Sequence, residues 1–392
     1  MFHLMKTLRP DYYETFHCIA DACPITCCQE WKIYVDPDTE SLWNTLSVPG
    51  DLPDKKASLT DYLTTREQQR VIALNPDHRC PFLAENKLCH LVLAHGDSVL
   101  SETCTIFPRE SHTFSSHMEQ SLMPCCPAVI DLFQEKETLT FPILPEISDH
   151  SEVLLFQIRQ EMIRAFTTES SNSDSDSSIS CEEIFLELFY ILRELSRQEH
   201  PGPEMIREYF SSANRSALHR AISEIELPLT DTLDEASELL QDLSVNYEKE
   251  GLYQEFLSPI LLCAQTVFPE LSEEELHAHW KDFQKGLSPF QTLFRNFLAN
   301  ELYSDLVLPD YSIKEMLLKL QWIAMEYTAI RQSLFFSWLG HPSLSYERVR
   351  QTIVILTRMT GYEDEDIFSY LENSFESPFW DWGYFALIVG KA

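Results

Sequence analysis

Nine of the eleven cysteines lie between residues 18 and 126, and only Cys181 and Cys263 lie beyond. The first cluster reads Cys18-x4-Cys23-x3-Cys27-Cys28, the second Cys80-x8-Cys89-x14-Cys104, and the third is Cys125-Cys126 followed by Pro127. Thiolates are soft anionic ligands suited to zinc or to iron–sulfur clusters. Three cysteines within six residues, 23 to 28, leave reactive thiols that a bound metal would explain. The N-terminus, MFHLMKTLRPDYYETFHC, has no apolar core segment and no small-residue cleavage site, so a cytoplasmic, reducing setting is expected. There the cysteines are read as thiols rather than disulfides. Cys181 and Cys263 fall in helical stretches and read as small buried apolar residues.

The pattern excludes the common cysteine motifs. No C-x-x-C pair occurs, whereas zinc knuckles and ribbons usually carry two. The radical cofactor loop C-x-x-x-C-x-x-C is begun by Cys23-x3-Cys27, but position 30 is Glu. Histidines 17, 78, 90, 95, 112 and 117 stand nearby, and each is a candidate ligand or an ordinary surface or core residue. A structural zinc site that staples a loop-rich region is the second reading of the clusters.

Only nine glycines occur, and the closest two are seven residues apart, so neither G-x-G-x-x-G nor G-x-x-x-x-G-K-[ST] can be formed. The glycine-rich cofactor loop of Rossmann-type methyltransferases is excluded with them. The formal charge of −33 repels phosphate backbones, so no nucleic-acid partner is expected. Such a surface suits solubility, and it would attract a lysine-bearing protein. No run approaches about 18 apolar residues, so no membrane span is expected.

The fold class expected is mainly α, with a cysteine-rich metal-binding region of short strands over 1–145 and an α-helical domain over 146–392. Prolines 108, 124, 127, 142 and 145 mark the edge between them. Trp31 to Val35 alternates and reads as a half-buried strand, while 38–48 and 57–73 show a looser helix-like pattern. Helical stripes run over 153–166 and 184–195. Further helices are expected over 203–226, 232–248, 252–267, 272–304, 313–339, 345–358 and 363–375. Trp280, Trp322 and Trp338 on these stripes read as core. Residues 167–180, TTESSNSDSDSSIS, read as a flexible linker. The aromatic end, SPFWDWGYFALIVGKA, reads as a final strand or turn packed on the body.

These residues resemble the flagellin lysine-N-methylase family. The carriers are Tyr12-x3-Phe16-x-Cys18, then Cys23-x3-Cys27-Cys28-x2-Trp31-x-Ile33-x-Val35-Asp36. Cys80-Pro81-Phe82-Leu83 follows, with Cys89 in a short hairpin-like loop. Ser101-x-Thr103-Cys104-x2-Phe107-Pro108-Arg109 resembles the family's T-C-R-x-Y-P-R stretch, and Cys126-Pro127 its C-P-E stretch. The resemblance covers roughly residues 10–130, and the helical remainder carries no matched motif. Thr105, Ala128 and Ala20 stand where the family commonly has a basic residue, an acidic residue and a glycine, and Cys125 blurs which sulfur of the pair is the ligand.

The resemblance implies a bacterial enzyme that methylates the ε-amino groups of flagellin lysines with S-adenosylmethionine. It also implies an iron–sulfur cluster, 4Fe-4S in type, on Cys18, Cys23, Cys27, Cys28, Cys80, Cys89, Cys104 and Cys126. Eight sulfurs admit two four-ligand sites, or one cluster with spare structural thiols. Arg109 would pair with the cofactor carboxylate or balance an anionic cluster. A related group described as zinc- or iron-chelating supplies the alternative, a non-catalytic metal-binding protein. Lysine methylation needs a neutral amine, so the ammonium, with a pKa near 10.4, must first lose its proton. Residue types alone name no base and no cofactor pocket.

Overall fold

The computed structural model describes residues 6–66, 68–143, 150–168, 179–361 and 363–390. Most of the serine- and aspartate-rich stretch expected as a linker, 169–178, lies outside them. The fold is mainly α.

Two apolar cores organise the chain. The smaller gathers Ile33, Val35, Trp43, Leu59, Tyr62, Phe82, Leu91 and Val99, and packs Cys28, Cys80, Cys89 and Cys104 on or within it. Its elements are short: α1 (Pro37–Trp43), the hairpin of β2 (Leu63–Arg66) and β3 (Gln69–Ile72), α2 (His90–His95) and α3 (Glu102–Ile106). Phe82 is the hub, with Trp43 edge-on at 5.4 Å and Tyr62 at 5.0 Å between ring centroids.

The strand expected over 31–35 is reduced to a bridge between Tyr34 and Val71. Its side-chain alternation is right, since Ile33 and Val35 are buried. Only one flank finds a partner, through Val35 N to Arg70 O and Ile72 N to Ile33 O, both 2.9 Å. The helix-like pattern over 57–73 is corrected to a single helical turn and the β2–β3 hairpin. Gln68 supplies the left-handed residue (φ 64°) at the reversal, and β-branched Thr64, Thr65, Val71 and Ile72 suit pleated backbone.

The larger core is built on helices. A three-stranded sheet lies against it, with β1 (Lys6–Leu8) parallel to β5 (His117–Leu122), and β4 (Arg109–Thr113) antiparallel to β5. There follow α4 (Pro127–Glu135), α5 (His150–Thr167), α6 (Cys181–Ser196), α7 (Pro203–Tyr209), α8 (Ser212–Ser223), α9 (Leu229–Glu250) and α10 (Gln254–Leu262). Then come α11 (Glu273–Leu287), α12 (Gln291–Ser304), α13 (Ile313–Gly340), α14 (Tyr346–Thr360), α15 (Asp364–Ser374) and α16 (Trp382–Val389). The 28-residue α13 is buried on nearly every face and packs against α6, α9, α14 and α16, with its buried Lys319 and Arg331 paired to Asp364 and Glu182.

Buried asparagines of α12 hold the early chain to this body. Asn300 donates to Leu122 O at 3.2 Å and accepts from the Tyr12 hydroxyl. Asn296 donates to Phe133 O (2.9 Å) and Lys136 O (2.8 Å) and accepts from Leu139 N (3.1 Å). Tyr12, Phe16 and Ile25 thus belong to the larger core.

Two long expected helices are each divided. Pro289 breaks 272–304 between α11 and α12, and Ser211 starts α8 as an N-cap, accepting from Asn214 N. The C-terminal end is a helix rather than a strand or turn. Asp381 caps it, and Phe385, Ala386, Ile388 and Val389 are buried.

Candidate metal centre

Each cysteine of the small core is delivered by a local device. Ile33 and Val35 sink into the core and leave Asp36 to cap α1, accepting from Thr39 N at 2.8 Å. The same carboxylate accepts from Glu102 N at 2.9 Å, which ties α1 to α3. Burial opposes its charge, yet these amides hold the Asp36 carboxyl down at about 2. Ser101 caps α3 by accepting from Cys104 N, so Cys104 rides in the first turn of that helix. Phe82 anchors the stretch after Cys80, and His90 N donates to Phe82 O at 2.8 Å, closing the loop that carries Cys89. Cys80 N donates to Cys28 O at 2.8 Å.

Four segments therefore converge. Cys28, Cys89 and Cys104 all act electrostatically on Cys80, while Cys28 and Cys89 act on Cys104. Burial pushes the Cys80, Cys89 and Cys104 thiols up, Cys104 to about 11. Cys28 moves the other way, to about 7, chiefly because the Cys27 thiol donates to it. Backbone amides after Cys80 and Cys89 approach those sulfurs, an arrangement that favours the thiolate form.

A second group lies where the first cluster meets the helical body. Cys23 acts on Cys126 and Cys18 acts on Cys23. Cys126 sits at the N-cap of α4, with the amides of Ala128 and Val129 directed at its sulfur. Cys27 belongs to the first group, through its hydrogen bond to Cys28 and the influence of Cys104. The doublet 125–126 divides its duties. Cys126 faces Cys23, whereas Cys125, raised by burial to about 12, senses Glu301 and Glu110 of the body.

Three of the six neighbouring histidines are engaged elsewhere. His90 Nδ1 pairs with Asp51 at 2.8 Å, His95 with Ser47 O at 2.9 Å, and His117 with Glu119 at 3.2 Å. Cys181 and Cys263 are buried on helical backbone, away from both groups. Ala20 takes a left-handed conformation (φ 45°), which accounts for a glycine being favoured at this position.

Among the described residues, the one trio of Cys, His or carboxylate ligand atoms within 4.8 Å of one another is Glu110, His112 and Asp305. No three cysteine sulfurs come that close. A four-sulfur tetrahedron around zinc, with bonds of about 2.3 Å, has edges of roughly 3.8 Å. The sulfurs are thus spread more widely than a single zinc ion would hold them. The Glu110 group was invisible in the sequence, because Glu110 and His112 lie on β4 and Asp305 follows α12. Lys319 already supplies a cation there, 2.6 Å from Asp364 and acting on Asp305. Burial raises Asp305 to about 6 and Glu326, which faces Glu301, to about 7.

Arginine completes the centre, from an unexpected place. Arg109 lies over the Phe16 ring at 5.0 Å and the Tyr13 ring at 5.9 Å. The guanidinium that acts on Cys23, Cys27, Cys28, Cys125 and Cys126 is that of Arg358 on α14.

The FliB lysine N-methylase C-terminal domain family matches residues 175–388, more than half of the chain. The chain belongs to the FliB lysine N-methylase family. The helical part, which bears no motif legible by eye, is the part this match covers. The chain is also similar to the flagellar biosynthetic protein FliU of Salmonella muenchen, 32% identical over 133 residues, covering 31% of this chain and 72% of that protein. Lysine-N-methylases of Salmonella typhimurium and Salmonella choleraesuis are each 31% identical over 133 residues, covering 31% of this chain. The aligned stretch spans 30% of the length of those two enzymes. No solved structure matches the chain. No helix among the described residues is long and apolar enough to cross a membrane.

Proposed function

We propose that this member of the FliB family is a protein-lysine N-methyltransferase that uses S-adenosylmethionine to methylate flagellin lysines in the bacterial cytoplasm, with an iron–sulfur cluster on its cysteines. The observation that carries the reading is the convergence of Cys28, Cys80, Cys89 and Cys104 from four separate segments, with Cys27 alongside and Cys18, Cys23 and Cys126 adjoining. The donor set, soft and anionic once deprotonated, fits iron–sulfur chemistry. The names of the relatives, lysine-N-methylase and flagellar biosynthetic protein, support the reaction and the flagellar substrate.

A bound cluster would supply a redox-active or Lewis-acidic iron centre. The protein's own residues do the rest. The small core fixes the ligand loops, and the amides after Cys80, Cys89 and Cys126 favour the thiolate forms. The reaction moves a methyl group from a sulfonium to a neutral ε-amine, releasing a thioether and the proton of the ammonium. The surface charge of −33 draws in a lysine-bearing partner.

Co-expression with a flagellin tests this. Intact mass should rise in increments of about 14 Da, mapping to lysines. In vitro the rate should fall as ionic strength passes about 0.1 M, where the screening length drops to about 10 Å. Flagellin left unmodified by metal-loaded protein and S-adenosylmethionine would overturn the reading and leave a non-catalytic zinc- or iron-binding protein.

A further inference from the structure

The described residues contain three buried arginines, Arg159, Arg331 and Arg358. Two have carboxylate partners: Arg159 binds Glu119 at 2.7 and 2.6 Å, and Arg331 binds Glu182. Arg358 is 8% exposed and has none. Its Nε donates to Cys125 O at 3.0 Å, Nη1 to Thr26 O at 3.1 Å and Nη2 to Ile25 O at 3.0 Å. Its guanidinium carbon lies 5.9 Å from the centre of the Trp31 ring, and Trp31 Nε1 donates to Cys27 O. Glu30, which together with Arg358 acts on Tyr253, is engaged by the Tyr253 amide at 2.9 Å and the Gln29 amide group at 3.1 Å.

Three of the five N–H groups of this side chain donate to carbonyls, and none of these acceptors carries a charge. A buried cation without an anion is costly. The groups on which it acts include the sulfurs of Cys23, Cys27, Cys28 and Cys126, which are thiolates once a metal is bound. The same three bonds fasten the loop before Cys27 and the Cys125–Cys126 turn to the last turn of α14. Arg358 is thus one point at which the centre and the helical domain meet, beside the bond from the Tyr253 amide to Glu30.

We propose that Arg358 is the positioning residue of the thiolate centre, supplying its counter-charge and latching both cysteine loops to the C-terminal helical domain. The inference rests on the iron–sulfur reading above. A cation beside a cluster stabilises the reduced, more anionic form, so its removal makes reduction harder. Charge and latch separate by substitution. Arg358→Lys keeps the charge and loses most of the hydrogen bonds, whereas Arg358→Gln loses the charge.

The test is made on anaerobically prepared full-length protein, with iron and sulfide content, midpoint potential and the rate of metal release to a chelator as readouts. Arg358→Gln should show a more negative midpoint potential, and release roughly 10-fold faster or more, in line with the weight of outer-shell partners. Arg358→Lys should return the potential towards wild type while release stays fast. Equal potentials in all three proteins, or an equal shift in both variants, would reduce Arg358 to a structural tie and overturn the proposal. If Arg358→Gln does not fold, Arg358→Lys decides: an unmoved potential with fast release supports the proposal, and a shifted potential overturns it. If the protein carries zinc without sulfide, the iron–sulfur reading fails by itself. Release of zinc then decides between a latch, with both variants fast, and no role, with release unchanged.

Discussion

Cys104→Ala is expected to lose its metal and, with it, methylation of flagellin, while Cys263→Ala keeps both. Cys104 is close enough to Cys28, Cys80 and Cys89 to interact with them electrostatically, and the capping bond from its amide to Ser101 fixes its direction. Outer-shell partners of a metal ligand are worth about 10- to 100-fold in affinity, so loss of a ligand sulfur should exceed that. Cys263 lies in a helical segment of the larger core, and its thiol, pushed up by burial to about 11, behaves as a small apolar group. Iron content and intact flagellin mass, measured on both variants, check the contrast. Full iron occupancy in Cys104→Ala would remove that sulfur from the set.

The second large effect is expected at Trp43, an anchor of the small core. It is 1% exposed, stacks edge-on with Phe82 and donates from Nε1 to Val99 O at 2.8 Å. Trp43→Ala should cost the small core about 3–5 kcal/mol. A core this size rests on few side chains, so the ligand loops 80–89 and 101–104 should loosen and shed metal. The larger core does not contain Trp43, and most of its helices should survive. Circular dichroism should therefore keep most of its helical signal while metal is lost. Loss of both together would show that the two cores fold as one unit.

The contrast between these sites shows what a sequence can carry. The motif Trp31-x-Ile33-x-Val35-Asp36 was legible as alternation ending in a polar stop, and its parts prove to be two core residues and a helix cap. Cysteine clusters announced the centre because close spacing forces proximity. What joins Cys28 to Cys80, Cys89 and Cys104 was not legible, since it depends on how the small core folds back on itself. Arg358 lies more than 200 residues from the loops it binds, and nothing local marks it. Arg109, adjacent to the cysteine motif, drew attention instead and proves to cover Phe16. Helices with one apolar stripe were read well. The short α16, apolar at nearly every position, lacked the periodicity that would have revealed it, and the hairpin at 63–72 was masked by a mixed pattern of polar and β-branched residues.

The account stands on the claim that converging thiolates hold an iron–sulfur cluster, and metal analysis tests it most directly. Protein purified under strict exclusion of oxygen should be brown, with iron and acid-labile sulfide in comparable amounts and a visible absorbance that bleaches on reduction. A colourless protein with stoichiometric zinc and no sulfide would contradict it.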